Sequence, residues 1–173
     1  MIHSLKQMKI PGMLLKVDLA KAYDKVNWKF LKAILLAFGF KYDWVKWIGN
    51  LVSTTFSSIL VNGSPSDTFS TSRGLRQQDP LSPFLFIILA EGLGRTLKAH
   101  QTKGEIWGLG LHEGMRPQTH QQFVDDTMLM GVATVREAKA IKNTLDTFKQ
   151  ANGLDTNKGK SHLFFFNTNS ETR

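Results

Sequence analysis

The sequence predicts an α+β fold in which helices pack on one face of an antiparallel sheet. Three observations support this prediction: a stretch of alternating polarity near the start, several stretches with apolar residues at helical spacing, and turn signals between short β-rich segments. In chain order these features give β-α-α-β-β-α-β-β-α-β. The length of 173 residues and the apolar fraction of 42% are typical of one domain with a proper core.

The first strand is predicted at Gly12–Ala20, where apolar and polar residues alternate with the two-residue period of a strand. Lys16 and Asp18 fall on the polar face. The opposite face is apolar and should be buried; it consists of Leu15, Val17 and Leu19.

Two helices are predicted after this strand. The first covers residues 21–40 and ends near Gly39, with an apolar stripe of Val26, Phe30 and Ile34, bordered by Leu31 and Leu35. The second has one apolar face, on which we expect both tryptophans to be buried: Trp44, Trp47, Ile48, Leu51 and Val52.

In the middle of the chain, Asn62-Gly63 lies between β-rich segments and predicts a hairpin turn. A long helix is predicted within "DPLSPFLFIILAEGLGRTLKAH", where Ser82 and Pro83 are expected to serve the start of the helix. Its apolar residues recur at helical spacing: Leu81, Phe84, Leu85, Ile88 and Leu89.

The last third predicts short β pieces, a hairpin, a helix and a closing strand. The hairpin is "THQQFVDDTMLMG", with Asp125 and Asp126 at its tip. The helix should begin at Thr134, with Glu137 completing a capping box and Gly153 at its end. The closing strand is "SHLFFFN", and the inward face of the helix consists of Ala138, Ile141, Leu145 and Phe148.

The composition favours nucleic acid as a partner. There are 22 Lys and Arg residues against 14 Asp and Glu, and a net charge of +8 favours polyanions, although it could also serve solubility alone. Cysteine is absent, which excludes disulfides and thiolate zinc sites. The start lacks the pattern of a secretory signal, and the longest apolar run, residues 84–90, is too short to cross a bilayer. We therefore expect an intracellular protein, nuclear or cytoplasmic, without a membrane partner.

Three carboxylates are candidates for a metal site. Asp18 lies on the polar face of a strand, and Asp125-Asp126 lies at a hairpin bend. If these strands are neighbours, the carboxylates converge, and their mutual repulsion would be relieved by Mg²⁺, which prefers oxygen ligands and substrate phosphates. Two such ions bound close together can catalyse phosphoryl transfer. The alternative is that the Asp-Asp pair only stabilises a turn.

Four sequence blocks resemble reverse transcriptases of non-LTR (LINE-type) retrotransposons, most closely those of plants. In order they are "LKVDLAKAYDKVNWKFL", "NGSPSDTFSTSRGLRQQDPLSPFLFIILAEGL", "THQQFVDDTMLMG" and "NGLDTNKGKSHLFFFN". They cover the chain from about residue 12 to 167 and correspond to motifs A, B, C and D of a polymerase palm. The resemblance implies an RNA-directed DNA polymerase that uses an RNA template, a DNA primer, dNTPs and Mg²⁺, with Mn²⁺ as the alternative ion.

The resemblance also implies the catalytic residues. Asp18 corresponds to the motif A metal ligand, and the carbonyl of Leu19 to a second contact. Asp125 and Asp126 correspond to the motif C pair, of which Asp125 is the stronger candidate for direct metal binding. Asp24 corresponds to a structural position in the family.

Substrate-binding roles follow in the same way. Tyr23 corresponds to the bulky residue that excludes a ribose 2′-OH, or it is simply a core aromatic. Gln77 corresponds to a glutamine that contacts the nucleotide, and Arg76 either borders the nascent base pair or belongs to an ordinary basic turn. Lys160 corresponds to the motif D proton donor to pyrophosphate, or it is a solvated lysine.

The sequence departs from the family at Gln78, where the family pattern RQGDPLSP has glycine. Because glycine is used where the backbone adopts positive φ, we expect glutamine there to strain the loop and reduce activity.

A second departure is length. Residues 1–173 are expected to form a single partial domain, with the fingers and thumb largely missing and weak or absent activity. The alternative function is a non-catalytic remnant that binds nucleic acid through its positive charge. A metal-dependent nuclease or phosphatase would not account for Tyr23 and motif B.

Overall fold

The computed structural model describes residues 10–110, 114, 116–123 and 126–168. Five helices and nine strands lie within these residues. In chain order they are β1 (Gly12–Ala20), α1 (Ala22–Lys25), α2 (Trp28–Ala37), α3 (Tyr42–Ser53), β2 (Phe56–Ser57), β3 (Leu60–Val61), β4 (Ser64–Pro65), β5 (Phe69–Ser70), α4 (Ser82–Thr102), β6 (His120–Phe123), β7 (Asp126–Val132), α5 (Val135–Asn152), β8 (Asp155–Thr156) and β9 (His162–Phe166).

The main sheet has five antiparallel strands, with β1 at its centre. One edge of β1 pairs with β7, in a register that runs from Gly12 opposite Val132 to Asp18 opposite Asp126, and β6 pairs with the far side of β7. The other edge of β1 pairs with β9 along its first half and with β8 at its end. The central strand is therefore held on both sides.

The helices pack on one face of this sheet, as the sequence predicts. Val17 is buried in the main core together with residues of α2, α3, α4 and α5, and Leu15 and Leu19 pack against the same core. The opposite face of the sheet holds a smaller apolar cluster, to which the described helices contribute no residue: Leu14, Leu109 and Met130. The predicted α+β architecture and the alternation of β1 are confirmed.

The first predicted helix is interrupted, so the prediction of one continuous helix over residues 21–40 is wrong. The backbone of Val26 leaves the helical conformation, and the side chain of Asn27 then accepts hydrogen bonds from Lys29 N and Phe30 N, which starts α2 as a new helix. Gly39, with a φ of +89°, follows the end of α2 as predicted.

The buried stripe of α2 also differs from the prediction. Leu31 and Leu35, expected at its border, are fully buried, whereas Phe30 and Ile34 are only partly covered. Because the break at Asn27 restarts the helix, its orientation is set by packing against α3 and α4 and not by the residues before the break.

Three apolar side chains expected to be buried are exposed. Trp47 is 69% exposed and Leu51 is 56% exposed. Both are exposed because α3 packs through a different set of residues: Val45, Ile48 and Gly49. Trp44 is half-buried and stacks on Phe40. In α4, Phe84 is 66% exposed and Phe86 is buried in its place. These helices carry more apolar residues than one packed face can cover. The periodicity of their apolar residues therefore could not predict which face is buried.

The predicted hairpin turn at Asn62-Gly63 is confirmed. Both residues have positive φ, +50° and +82°, as a two-residue type I′ turn requires. The hairpin continues through β2 and β5, and all of its strand residues are exposed. We refer to residues 55–72 as the hairpin arm.

The start of α5 shows half of the predicted capping box. Thr134 Oγ1 accepts a hydrogen bond from Glu137 N at 3.2 Å. The Glu137 carboxylate does not complete the box; it is buried and accepts hydrogen bonds from Trp107 N (3.0 Å) and Gly108 N (2.9 Å). Gly153, with a φ of +76°, ends the helix as predicted.

The inward face of α5 agrees with the prediction except at Ala138, which is exposed. Glu137 takes its place among the buried residues because its carboxylate turns inward to the 107–108 backbone.

Within the described residues, no helix is long and apolar enough to span a membrane.

Candidate active site

Two of the three predicted carboxylates lie side by side at the end of the β1–β7 ladder. Asp18 and Asp126 are directly opposite each other in the antiparallel register. Side chains at such positions leave the same face of a sheet, with Cβ atoms about 4.5–5.5 Å apart. Since Val17 faces the helical core, Asp18 and Asp126 lie on the other face. Asp125 and the preceding Val124 lie outside the described residues.

Lys16 lies next to this pair. It shares the face of Asp18, and its Nζ is 3.3 Å from Asp126 Oδ1. The lysine partly neutralises the Asp126 carboxylate and so reduces its repulsion with the Asp18 carboxylate. Two adjacent hard oxygen groups are the donors that Mg²⁺ prefers. Among the described residues no group of three or more such side chains surrounds a metal position, and the third predicted carboxylate, Asp125, is not one of these residues.

The backbone of Asp18 is held by the loop that joins β8 to β9. Asp18 N donates to Ser161 Oγ at 3.2 Å, and Asn157 N donates to the Asp18 carbonyl at 2.8 Å. Lys160 is exposed in the same loop, and its backbone N donates to the Asn157 carbonyl. Leu19, the next residue of β1, pairs with Thr156 of β8. The predicted proton donor is therefore one residue away from a residue that contacts Asp18.

The motif B loop is docked on the segment that follows β1. Leu75 N donates to the Tyr23 carbonyl and Gly74 N to the Val26 carbonyl, both at 2.8 Å, and Trp28 Nε1 donates to the Gly74 carbonyl. Gly74 has a φ of +97°, and a Cβ there would lie 2.8 Å from the Asp24 carbonyl oxygen. Only glycine fits this close approach.

Gln77 is tied to the same segment by its side chain. Gln77 Nε2 donates to Asp24 Oδ1 at 3.0 Å. Asp24, which the sequence assigns only a structural position, therefore orients the predicted nucleotide-contacting glutamine. Gln78 has a φ of +66°, in the left-handed region where glycine is favoured. The positive φ expected from the family glycine is therefore found at this position in this chain, although the residue is glutamine.

The side chains of Tyr23 and Arg76 have different surroundings. The Tyr23 ring stacks on Phe86 at 4.8 Å between centroids and is half-buried against the core, as the core-aromatic alternative expects. Arg76 lines a cleft of about 450 Å³ between α3, the hairpin arm and motif B. The lining of this cleft includes Asp24 but neither Asp18 nor Asp126.

Three contacting residues were missed by reasoning from sequence: Asn157, Ser161 and Asp79. Lys16 is predicted to share the polar face of Asp18, but its contact with Asp126 is not predicted. Asp79 Oδ2 accepts hydrogen bonds from Leu81 N, Ser82 N and Ser82 Oγ, so it caps α4, while Pro83 lies in the first turn. The spacing of an aspartate before "LSP" is a capping signal that could have been read locally. The contacts of Lys16, Asn157 and Ser161 depend on strand pairing and had no local signal.

An antiparallel sheet covered by helices on one face, with Asp18 and Asp126 on the other, is the arrangement predicted for a polymerase palm. Residues 2–172 match the family model described as reverse transcriptase (RNA-dependent DNA polymerase). The chain belongs to the reverse transcriptase family. The non-LTR retrotransposon type predicted from the four sequence blocks is confirmed.

The chain is similar to proteins of plant and insect origin. It is 40% identical over 68 residues to an uncharacterized mitochondrial protein of Arabidopsis thaliana. This match covers 39% of the chain and 56% of that protein. It is 28% identical over 144 residues to the Pol polyprotein of the type-2 retrotransposable element R2DM of Drosophila melanogaster. That match covers 83% of the chain but only 13% of the polyprotein.

Solved structures support the fold. Telomerase from Candida tropicalis in complex with a fragment of telomeric RNA superposes with a TM-score of 0.67 at 14% identity, over 94% of this chain and 28% of that one. The apo telomerase truncated from its C-terminal domain gives a TM-score of 0.68 at 15% identity, over 97% and 34% of the two chains. The predicted palm fold is confirmed.

Proposed function

We propose that this chain is the catalytic palm of an RNA-directed DNA polymerase, which extends a DNA primer on an RNA template with dNTPs. The observation that carries the proposal is the cross-strand pair of Asp18 and Asp126. In the reaction the primer 3′-hydroxyl oxygen loses its proton to water and attacks the α-phosphorus of the dNTP. The bond from the α-phosphorus to the bridging oxygen breaks, and pyrophosphate leaves.

Asp18, Asp126 and the adjacent Asp125 are the residues that would hold Mg²⁺ or Mn²⁺, with the Leu19 carbonyl as a further ligand. Carboxylate and carbonyl oxygens are appropriate donors for both ions. When bound, two such ions would make the primer hydroxyl a better nucleophile and neutralise the departing pyrophosphate. Lys16 would act as the counter-charge of Asp126, to which it is ion-paired.

Four side chains would bind or select the nucleotide. The ring of Tyr23, fixed by stacking on Phe86, would exclude a ribose 2′-OH and so select deoxynucleotides. Gln77, oriented by Asp24, would contact the incoming nucleotide, and Arg76 would border the nascent base pair. Lys160 would donate a proton to the pyrophosphate oxygen that leaves.

Primer extension on an RNA template with dNTPs and Mg²⁺ tests this proposal. Asp126→Asn and Asp18→Asn keep side-chain size but remove the charge, and each should lower the extension rate at least about a hundredfold. Asp67→Asn, at an exposed position of the hairpin arm, is the matched control and should extend like wild type. Equal rates for wild type and Asp126→Asn would contradict the polymerase proposal.

A second candidate function is binding of nucleic acid without catalysis. The left-handed backbone of Gln78 favours it, because a side chain stands where the family has glycine at the edge of motif B. The same preparations decide between the candidates when RNA–DNA binding is measured beside extension. If the wild-type chain binds the RNA–DNA hybrid but shows no Asp126-dependent primer extension, the second function is supported.

A further inference from the structure

We propose that Ser161 is a positioning residue for the polymerase reaction, because its hydroxyl holds the backbone of Asp18 and couples it to the loop that carries Lys160. The inference rests on the proposed function of Asp18 as a metal ligand. It concerns a contact between residues that are 143 positions apart in the chain.

The contact lies where the sheet is interrupted. On one edge of β1, β9 pairs as far as Lys16, and β8 pairs only at Leu19 and Ala20. Between these two strands the chain makes a turn at residues 157–161, so β1 has no strand neighbour on this edge at Asp18. On this edge the predicted catalytic residue therefore depends on the loop for its backbone partners.

Ser161 and Asn157 supply those partners. Asp18 N donates to Ser161 Oγ at 3.2 Å, and Ser161 Oγ in turn donates to the Asn157 carbonyl at 2.8 Å. Asn157 N donates to the Asp18 carbonyl at 2.8 Å, which closes a ring of hydrogen bonds. The serine hydroxyl thus replaces the backbone carbonyl that a continuous strand would offer to Asp18 N.

A hydroxyl is needed at this position because it accepts and donates at the same time. Alanine would leave Asp18 N without its partner, while the hydrogen bond from Asn157 N to the Asp18 carbonyl would remain. The Asp18 backbone would then be tied to the loop at its carbonyl alone, which would loosen the position of the Asp18 carboxylate. Displacement of a reacting group by about 1 Å can lower a rate by about a hundredfold.

Amide hydrogen exchange of the ¹⁵N-labelled chain tests the contact independently of activity. In Ser161→Ala, exchange of the Asp18 amide should be at least about tenfold faster than in wild type, whereas Ser161→Thr, which keeps the hydroxyl, should retain the protection. The Leu75 amide, which donates to the Tyr23 carbonyl elsewhere, is the internal reference for global opening. Unchanged Asp18 exchange in Ser161→Ala, or equal acceleration at Asp18 and Leu75, would overturn the proposal.

Single-turnover primer extension tests the catalytic consequence. Ser161→Ala should lower the maximal rate about 10- to 100-fold with less than about a twofold change in the KM for dNTP. Ser161→Thr should restore the rate, and Ser64→Ala in the hairpin arm should not affect it. A threonine variant as slow as alanine, or a loss confined to KM, would overturn the positioning role. Absence of Asp126-dependent extension in wild type would refute the proposed function instead, and the exchange measurement would still decide whether Ser161 holds Asp18.

Discussion

Gln78 has a backbone conformation that is unfavourable for glutamine. Its φ of +66° lies in a region that costs a residue with a Cβ roughly 1–2 kcal/mol. Gln78→Gly should therefore raise the free energy of unfolding by up to about 1 kcal/mol, after the larger chain entropy of unfolded glycine is subtracted. Urea unfolding measures this change, and primer extension should improve in the same variant.

Gln78→Ala separates the two effects of the glutamine. Alanine retains the unfavourable φ but removes the long side chain, so it should leave the left-handed strain in place. If alanine and glycine raise extension equally, side-chain bulk and not backbone strain limits activity. If neither variant exceeds wild type in stability or extension, the strain account of Gln78 fails.

Glu137 should make stability depend on pH. Burial raises the pKa of its carboxyl above the usual 4.5, against the opposing effect of hydrogen bonds from the Gly108, Trp107 and Val132 amides. The folded chain therefore binds more protons than the unfolded chain between pH 4.5 and the raised value. The contribution of Glu137 to stability must fall as pH rises through that window and stay constant above it.

Comparison with Glu137→Gln isolates this contribution. Glutamine does not titrate, while the other groups with shifted pKa values, Glu105, His120 and Asp146, are present in both proteins and should largely cancel from the difference. Urea unfolding from pH 4 to 8 should show wild type losing stability relative to the glutamine variant as pH increases. A difference that is constant, or that changes in the opposite direction, would refute the raised pKa.

At the scale of elements, the start of α4 depends on Asp79. Its carboxylate accepts hydrogen bonds from Leu81 N and Ser82 N, and loss of such a cap costs about 0.5–2 kcal/mol. Asp79→Ala should destabilise the chain by about that amount in urea unfolding. Because α4 carries motif B into the core, extension should fall as well.

Asp79→Asn is the informative control for the cap. Asparagine keeps an oxygen that can accept the same backbone hydrogen bonds, so most of the stability should be retained. Asp67→Ala, in the hairpin arm, should change stability little. Equal losses for Asp79→Ala and Asp67→Ala would show that α4 does not need this cap.

At the scale of the whole molecule, the net charge of +8 should govern binding of nucleic acid. Affinity for an RNA–DNA hybrid, measured by fluorescence anisotropy, should fall as the salt concentration rises, because each phosphate contact releases counterions. Lys158→Ala, in the loop beside Asp18, should reduce the salt slope by about one unit. Lys142→Ala, in the helical layer on the opposite side of the sheet, should not. Salt-independent affinity would contradict an electrostatic interface.

Much of the fold could be predicted because its signals are local. The alternation of β1, the turn at Asn62-Gly63 and the helix end at Gly153 depend on a few consecutive residues, and all three are confirmed. The order of the four motif blocks identified the family. The family resemblance implied that Asp18 lies close to the Asp125-Asp126 pair, but the pairing of Asp18 with Asp126 is seen only in the structure, since periodicity in two separate strands says nothing about whether they are neighbours.

The remaining features depend on residues far apart in the chain. Trp47 is exposed because α3 packs through its other side, and Glu137 leaves its local cap for the distant backbone of Trp107 and Gly108. By itself, the sequence determined where strands, turns and helix ends form, because steric limits and backbone hydrogen bonds act between neighbours. Only the tertiary structure decided which helix faces are buried and that Ser161 holds Asp18, because packing and long-range hydrogen bonds exist only once distant segments meet.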